Sequence, residues 1–217
     1  MMVNEMWPGV IDTTQLSGTH VAAVNRMSDA AKSGTWGEVV EIINSSSWIS
    51  ANQWRIEGRS WFAPLHQAAW HGAPVEVASR LIELGGWRSL RDAEGKRPID
   101  IAEERGHTHL REVLAVADPT PVEQLRYAAW DQHLSELIAS RTQLMDPVAI
   151  RPVQTEVIVA ENLDLLSFLY PGMYGGFTMS VHRLRLFVES SSRVAGGSGQ
   201  AHVITEGGCV LVEEGFV

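Results

Sequence analysis

Cys209 is the only cysteine in 217 residues, so no disulfide can form within the chain, and a reducing compartment suits it. Eight histidines are present, but none falls in a His-x-x-x-His pair, and His107 and His109 lie two apart, off a common helical face. With a single thiol as well, a structural zinc site lacks its usual ligands, and neither metal nor cofactor is expected. No stretch approaches about 18 consecutive apolar residues, so no membrane span is expected. Met1-Met2-Val3-Asn4-Glu5-Met6-Trp7-Pro8 has neither a basic start nor an apolar core; no signal peptide is expected, and the cytoplasm is the default location. Also missing is any basic cluster. Net charge is −9, and acidic residues outnumber basic ones on both sides of Asp118. Phosphate binding needs a local basic face, so nucleic acid is not expected as a partner. The charge serves solubility and permits steering towards a basic protein.

What the chain does contain is a pattern used twice. Ala63-Pro64-Leu65-His66-Gln67-Ala68 recurs as Arg97-Pro98-Ile99-Asp100-Ile101-Ala102, and Gly72 recurs as Gly106, 34 residues on. Proline fits a first helical position, where its missing N–H is unpaired anyway. Glycine past the last turn supplies a left-handed cap. Leu65, Ala68 and Ala69 share one helical face, and Val75, Ala78, Leu81 and Ile82 mark a second helix. Residues 91–96, Arg-Asp-Ala-Glu-Gly-Lys, read as a polar turn between copies. Period, signature and turn together resemble the ankyrin-repeat family, whose period is about 33 residues and whose signature is T-P-L-H-x-A. One departure stands out: Trp61 occupies the position that Gly95 holds in the next copy, inside an aromatic and cationic stretch from Trp54 to Phe62.

A divergent first repeat is expected from the stripe Val21, Val24, Met27, Ala30, Ala31 and the partner run Val39, Ile42, Ile43. Asp118-Pro119-Thr120-Pro121 breaks the pattern. Val122, Leu125, Ala128, Ala129, His133, Leu134, Leu137 and Ile138 then form a stripe suited to capping the stack's open end. From Arg151 the period becomes two, with Val153, Thr155, Val157 and Val159 in one run and Leu184, Leu186 and Val188 in another. Further short strands are expected at Phe177–Val181, His202–Thr205 and Cys209–Glu213. The expected fold class is α+β: an ankyrin-type helical solenoid of about three repeats, then a small antiparallel β module. The divisions are an extension at 1–16, repeats at 17–118, a helical cap or linker at 119–150 and the β module at 151–217. The whole resembles short bacterial ankyrin proteins, and the β tail is unassigned to a family.

The resemblance implies where partners bind. In ankyrin proteins the two positions before the glycine of the first helix face the concave surface, which here selects Trp70 and His71, Glu104 and Arg105, and Lys32 and Ser33. Fingertip positions add Trp61 and Phe62, then Trp87, Arg88 and Arg91. Trp and Arg are enriched at interface hot spots. Alternatively, Trp61 and Trp87 pack on each other or under the β module. His66 is expected to hydrogen-bond loop backbone. The leading function is non-catalytic protein binding through the concave surface, one form being an inhibitor or immunity protein for a basic toxin or enzyme. A second function is binding of a small ligand or peptide by the β module, through Tyr174, Arg193, Gly197 and Gly199. Third is an enzyme using Ser190–Ser192, Glu189 and His202, whose geometry the sequence leaves open. Partner identity and oligomeric state are open as well.

Overall fold

Ser17 and three glycines set the helix boundaries in the first half of the chain. In the computed structural model, which describes residues 4–194 and 197–215, the Ser17 hydroxyl accepts the His20 N–H at 3.2 Å and starts α1 (Gly18–Ser33), as an N-cap does. Gly34 ends α1 with a left-handed φ of 75°. After α2 (Trp36–Ser45) come α3 (Pro64–His71) and α5 (Pro98–Glu104), separated by α4 (Val75–Glu83). Both α3 and α5 begin on proline, and left-handed glycines follow them, Gly72 at φ 62° and Gly106 at φ 74°. In all three helices the residue after the glycine donates to the carbonyl five positions back. Thr35 reaches Ala30 at 2.9 Å, Ala73 reaches Ala68 at 3.0 Å and His107 reaches Ala102 at 2.8 Å. This closure needs a backbone that glycine adopts without Cβ strain.

A 3₁₀ turn at Thr108–Leu110 leads into α6 (Arg111–Leu114). α1 packs on α2 and α3, α3 on α4 and α5, and α4 on α6. One continuous core results, with Met27, Ile42, Leu65, Leu81 and Leu110 all buried. Its alanines, Ala31, Ala68, Ala69 and Ala102, are small enough for short helices to approach closely.

The two similar copies also share their polar wiring. His66 Nδ1 accepts the Ala63 N–H at 3.3 Å, and the Asp100 carboxylate accepts the Arg97 N–H at 2.8 Å, each side chain reaching back over the start of its helix. His66 Nε2–H donates to the Leu90 carbonyl at 3.0 Å. Trp61 and Gly95 both take the left-handed conformation, at φ 57° and 81°. Ala93 N–H donates to Ser60 O at 3.0 Å, joining the two turns. Asp92 shapes the second turn by accepting the Glu94 and Lys96 N–H groups, both at 2.8 Å. Buried Asn52 ties neighbouring loops: its amide donates to Gly85 O at 2.8 Å and accepts the Trp87 N–H at 2.8 Å.

The chain divides into two compact units, residues 11–117 and residues 1–10 together with 118–217. The second unit holds β1 (Asn4–Met6), β2 (Leu165–Tyr170), β3 (Gly175–His182), β4 (Arg185–Ser192), β5 (Ser198–Thr205) and β6 (Gly208–Gly215), side by side in that order. β2 to β6 form an antiparallel meander, while β1 pairs with β2 in parallel. Alternate residues, among them Leu166, Phe168, Phe177, Met179, Leu186, Val188 and Ile204, are buried on the inner face. α7 (Pro121–Thr142) lies against β5 and β6, and α8 (Glu156–Ala160) against β3. α7 opens on a capping box: Thr120 N–H donates to the Glu123 carboxylate at 2.8 Å and Glu123 N–H to Thr120 Oγ1 at 3.3 Å.

The α+β class holds, but four details differ from the sequence reading. The sheet is mixed, because β1 is parallel. The segment around Val153–Val159 is not a strand; Asp131 accepts both the Thr155 N–H at 2.8 Å and its hydroxyl at 2.7 Å, and α8 begins there. The N-terminal segment is no mere extension. Trp7 N–H donates to Ser167 O at 2.7 Å, its indole N–H to Arg151 O at 3.1 Å, and Arg151 N–H to Gly9 O at 2.7 Å. The helix expected to cap the stack belongs to the sheet's unit, burying Trp130, Leu134, Leu137 and Ile138 while Val122 and Leu125 stay exposed. Among the described residues, no helix is long and apolar enough to cross a membrane.

Replacing Asn52 with alanine removes two bonds and leaves a carbonyl and an N–H unpaired, each costing about 1–3 kcal/mol where water is excluded. Urea unfolding of Asn52→Ala is therefore expected to show a loss of about 2–4 kcal/mol. A loss below about 0.5 kcal/mol, the range of ordinary surface changes, contradicts this role.

Candidate functional site: the exposed surface at Trp70

The ends of α1, α3 and α5 bring Lys32, Trp70, His71 and Arg105 into neighbouring positions. Trp70, in the last turn of α3, is 44% exposed, a large value for an indole. The Arg105 guanidinium stands 3.9 Å from the centre of its ring, within cation–π range. Phe62 meets the same indole edge-on at 6.0 Å and stacks on His66 at 5.6 Å. His66 is wholly buried and bonded at both nitrogens, so the core holds Phe62, and Phe62 and Arg105 hold Trp70. The indole is half-exposed and in contact with both side chains.

Histidines link the successive helix ends. His71 Nε2–H donates to Lys32 O at 2.8 Å, His107 Nε2–H to Trp70 O at 3.3 Å, and His109 Nε2–H to Ala73 O at 3.1 Å. The His107 ring lies so close to Gly72 that a Cβ there would stand 2.6 Å from Nδ1; glycine at 72 serves this approach as well as its left-handed φ. Beside this row Lys96 bridges Glu104 at 2.9 Å and Glu94 at 3.1 Å. Those hydrogen bonds, Glu104's first, hold its ammonium well above the usual lysine range. Arg111 meets Glu103 at 3.0 Å.

Of the residues selected from sequence, Phe62, Trp70, His71, Glu104 and Arg105 share this surface. Trp61 is half-buried, its backbone strained in the left-handed region. Trp87 is corrected: it is 3% exposed, because Asn52 draws its loop inward, and it cannot face a partner. Arg88 donates to Ala115 O at 3.0 Å at the end of α6, and Arg91 to Gly95 O at 2.9 Å across its own turn. Both guanidinium groups therefore brace the frame. The histidine links and the Phe62–His66 stack were not anticipated; His107 follows Gly106 directly, and the 34-residue register was the signal that placed it near Gly72.

The sheet unit treats its candidates differently. Tyr174 is 80% exposed in a left-handed turn, and Arg193 N–H bonds Met173 O at 3.0 Å. Gly197 is buried with φ 81°. Gly199 alone of the four lines a concavity of about 550 Å³ on the outer face, with Leu169, Gly176, Thr178, Glu189 and Ser191. The Ser/His/Glu set is split by the pleat: Ser190 and His202 are buried inward, and Glu189 is exposed on the other face. Burial first, and then the Arg141 charge, lowers the His202 pKa. Among the described residues, no three His, Cys, Asp or Glu side chains converge where a metal ion would sit.

Asp100 starts the helix that carries Arg105. Burial alone would raise its pKa, but hydrogen bonds from the Arg97 side chain and backbone outweigh that, and the pKa is lowered. Its stabilising contribution is thus present above the unfolded carboxyl pKa, about 3.9, and is lost as pH falls through the lower folded value. Asp100→Asn is expected to flatten the fall in stability below about pH 4, measured by urea unfolding across pH. An unchanged slope contradicts the assignment.

Compared with known proteins, the chain matches no protein-family model and no curated sequence.

Proposed function

We propose that residues 11–117 are a short ankyrin stack and that its surface around Trp70 binds another protein without catalysis. The observation that carries the proposal is a half-exposed indole clamped by Arg105 at 3.9 Å and Phe62 at 6.0 Å. An aromatic anchor held rigid in the free protein loses little side-chain entropy when a partner covers it. The ankyrin reading is supported by three helices closed by the same glycine motif. It is supported further by His66 and Asp100 capping at equivalent positions and by Trp61 and Gly95 sharing a left-handed backbone 34 residues apart. Repeat stacks present such a fixed frame, with specificity in the variable side chains.

A second reading is favoured by the concavity of about 550 Å³ on the sheet, a volume suited to a small ligand or a few residues of peptide. Gly175, Gly176, Gly199 and Gly215 are among its lining residues.

The two separate in one experiment. Tagged protein is used to capture partners from native-cell lysate beside Trp70→Ala and Trp48→Ala; Trp48 is 73% exposed and outside the Trp70 cluster. A partner retained by Trp48→Ala and weakened at least about thirtyfold by Trp70→Ala, on the hot-spot scale of about 2 kcal/mol or more, is the expected result. A partner held equally by all three proteins contradicts the proposal and moves function to the sheet.

A further inference from the structure

We infer that the Trp70 surface takes an acidic segment of a partner protein, in spite of the chain's own negative charge. The inference rests on the reading of Trp70 as an anchor and names the chemistry of what it meets. Net charge is −9 over the whole chain, but it is unevenly placed. Residues 1–10 and 118–217 hold 13 acidic and 6 basic side chains, whereas residues 11–117 hold 13 acidic and 11 basic ones. Charges screen one another over about 8 Å at physiological salt, so a docking segment responds to the groups beside Trp70 and not to the total.

Beside Trp70 the acids are already engaged. Glu104 and Glu94 share Lys96, and Glu103 holds Arg111. Among the described residues, two cations here have no ion-pair partner: the Lys32 ammonium and Arg105, whose guanidinium lies over the indole face. Among the described residues, the indole N–H of Trp70 has no acceptor either. Helix C-termini would ordinarily repel an anion, because their carbonyls carry partial negative charge. Here those carbonyls are capped. Ala30, Ala68 and Ala102 accept N–H groups from the closing turns, and Lys32 O and Trp70 O accept from His71 and His107. The successive helix ends therefore offer a guanidinium and an indole N–H at Trp70 and, on the neighbouring end that His71 joins to α3, the Lys32 ammonium. A complementary segment supplies carboxylates to the donors and an apolar side chain to the indole.

The test selects random dodecapeptides displayed on phage against the full-length protein and discards those that bind Trp70→Ala. Recovered sequences are expected to be enriched in Asp and Glu over Lys and Arg. Their synthetic forms should bind roughly five- to tenfold more weakly to Lys32→Glu and to Arg105→Glu. They should also weaken severalfold as salt is raised to about 0.5 M. Because Lys32 and Arg105 are exposed, both variants should keep the wild-type melting temperature; one that unfolds is replaced by Lys32→Gln or Arg105→Gln. Trp70-dependent peptides rich in Lys and Arg, or insensitive to both charge reversals, overturn the acidic partner while leaving the Trp70 anchor standing. A library with no Trp70-dependent binder overturns the anchor as well. Free glutamate or citrate competing as well as the peptides would show a small-anion site and overturn the docking of a segment.

Discussion

The hydrogen bond from the residue after each helix-ending glycine to the carbonyl five positions back, made by Thr35, Ala73 and His107, governs the geometry of residues 11–117. It stops α1, α3 and α5 on a left-handed turn and satisfies carbonyls that would otherwise lack partners. It also hands the chain directly to the next helix. α3 and α5 are too short to be stable alone in water, so they exist because each is packed on its neighbours through buried alanines and leucines. The glycine closures and the Asn52 bridge fix how neighbouring elements meet, and packing supplies the driving force.

From that frame the surface follows. Trp70 and His71 precede Gly72 as Lys32 and Ser33 precede Gly34, so the repetition of one backbone motif aligns side chains distant in sequence. The ends of α1 and α3 are then covered by a histidine from the following helix end, His71 on Lys32 and His107 on Trp70. Two helix-end carbonyls thereby gain protein donors, and Trp70 and Arg105 stay exposed beside them. Arg105 contributes twice, as a planar partner for the indole and as a charge, a pairing that lysine reproduces poorly.

Much of this half was legible because backbone demands leave residues behind. Pro64, Gly72, Pro98 and Gly106 mark places where few other residues serve, and the structure puts helix starts and left-handed closures there. The second half was harder to read. Val153, Thr155, Val157 and Val159 alternate like a strand, but four positions cannot outweigh Asp131, which captures Thr155 from 24 residues away. β2 was missed because Leu-Leu-Ser-Phe-Leu-Tyr is almost continuously apolar, a run whose period carries no message. β1 pairs with a strand about 160 residues downstream, and no local pattern announces such a partner. Loop composition leaves open whether Trp87 faces out or packs inward, and the bond to Asn52, 35 residues away, decides it.

The central claim is that a partner is met by an indole already held in place. Fluorine NMR of protein labelled with 5-fluorotryptophan tests it directly, with the Trp70 signal assigned by Trp70→Phe. In the free protein that signal should be single and sharp, and on adding a bound peptide or captured partner it should shift, while those of buried Trp54, Trp87 and Trp130 stay in place. A saturating partner that leaves the Trp70 signal unmoved would contradict the claim.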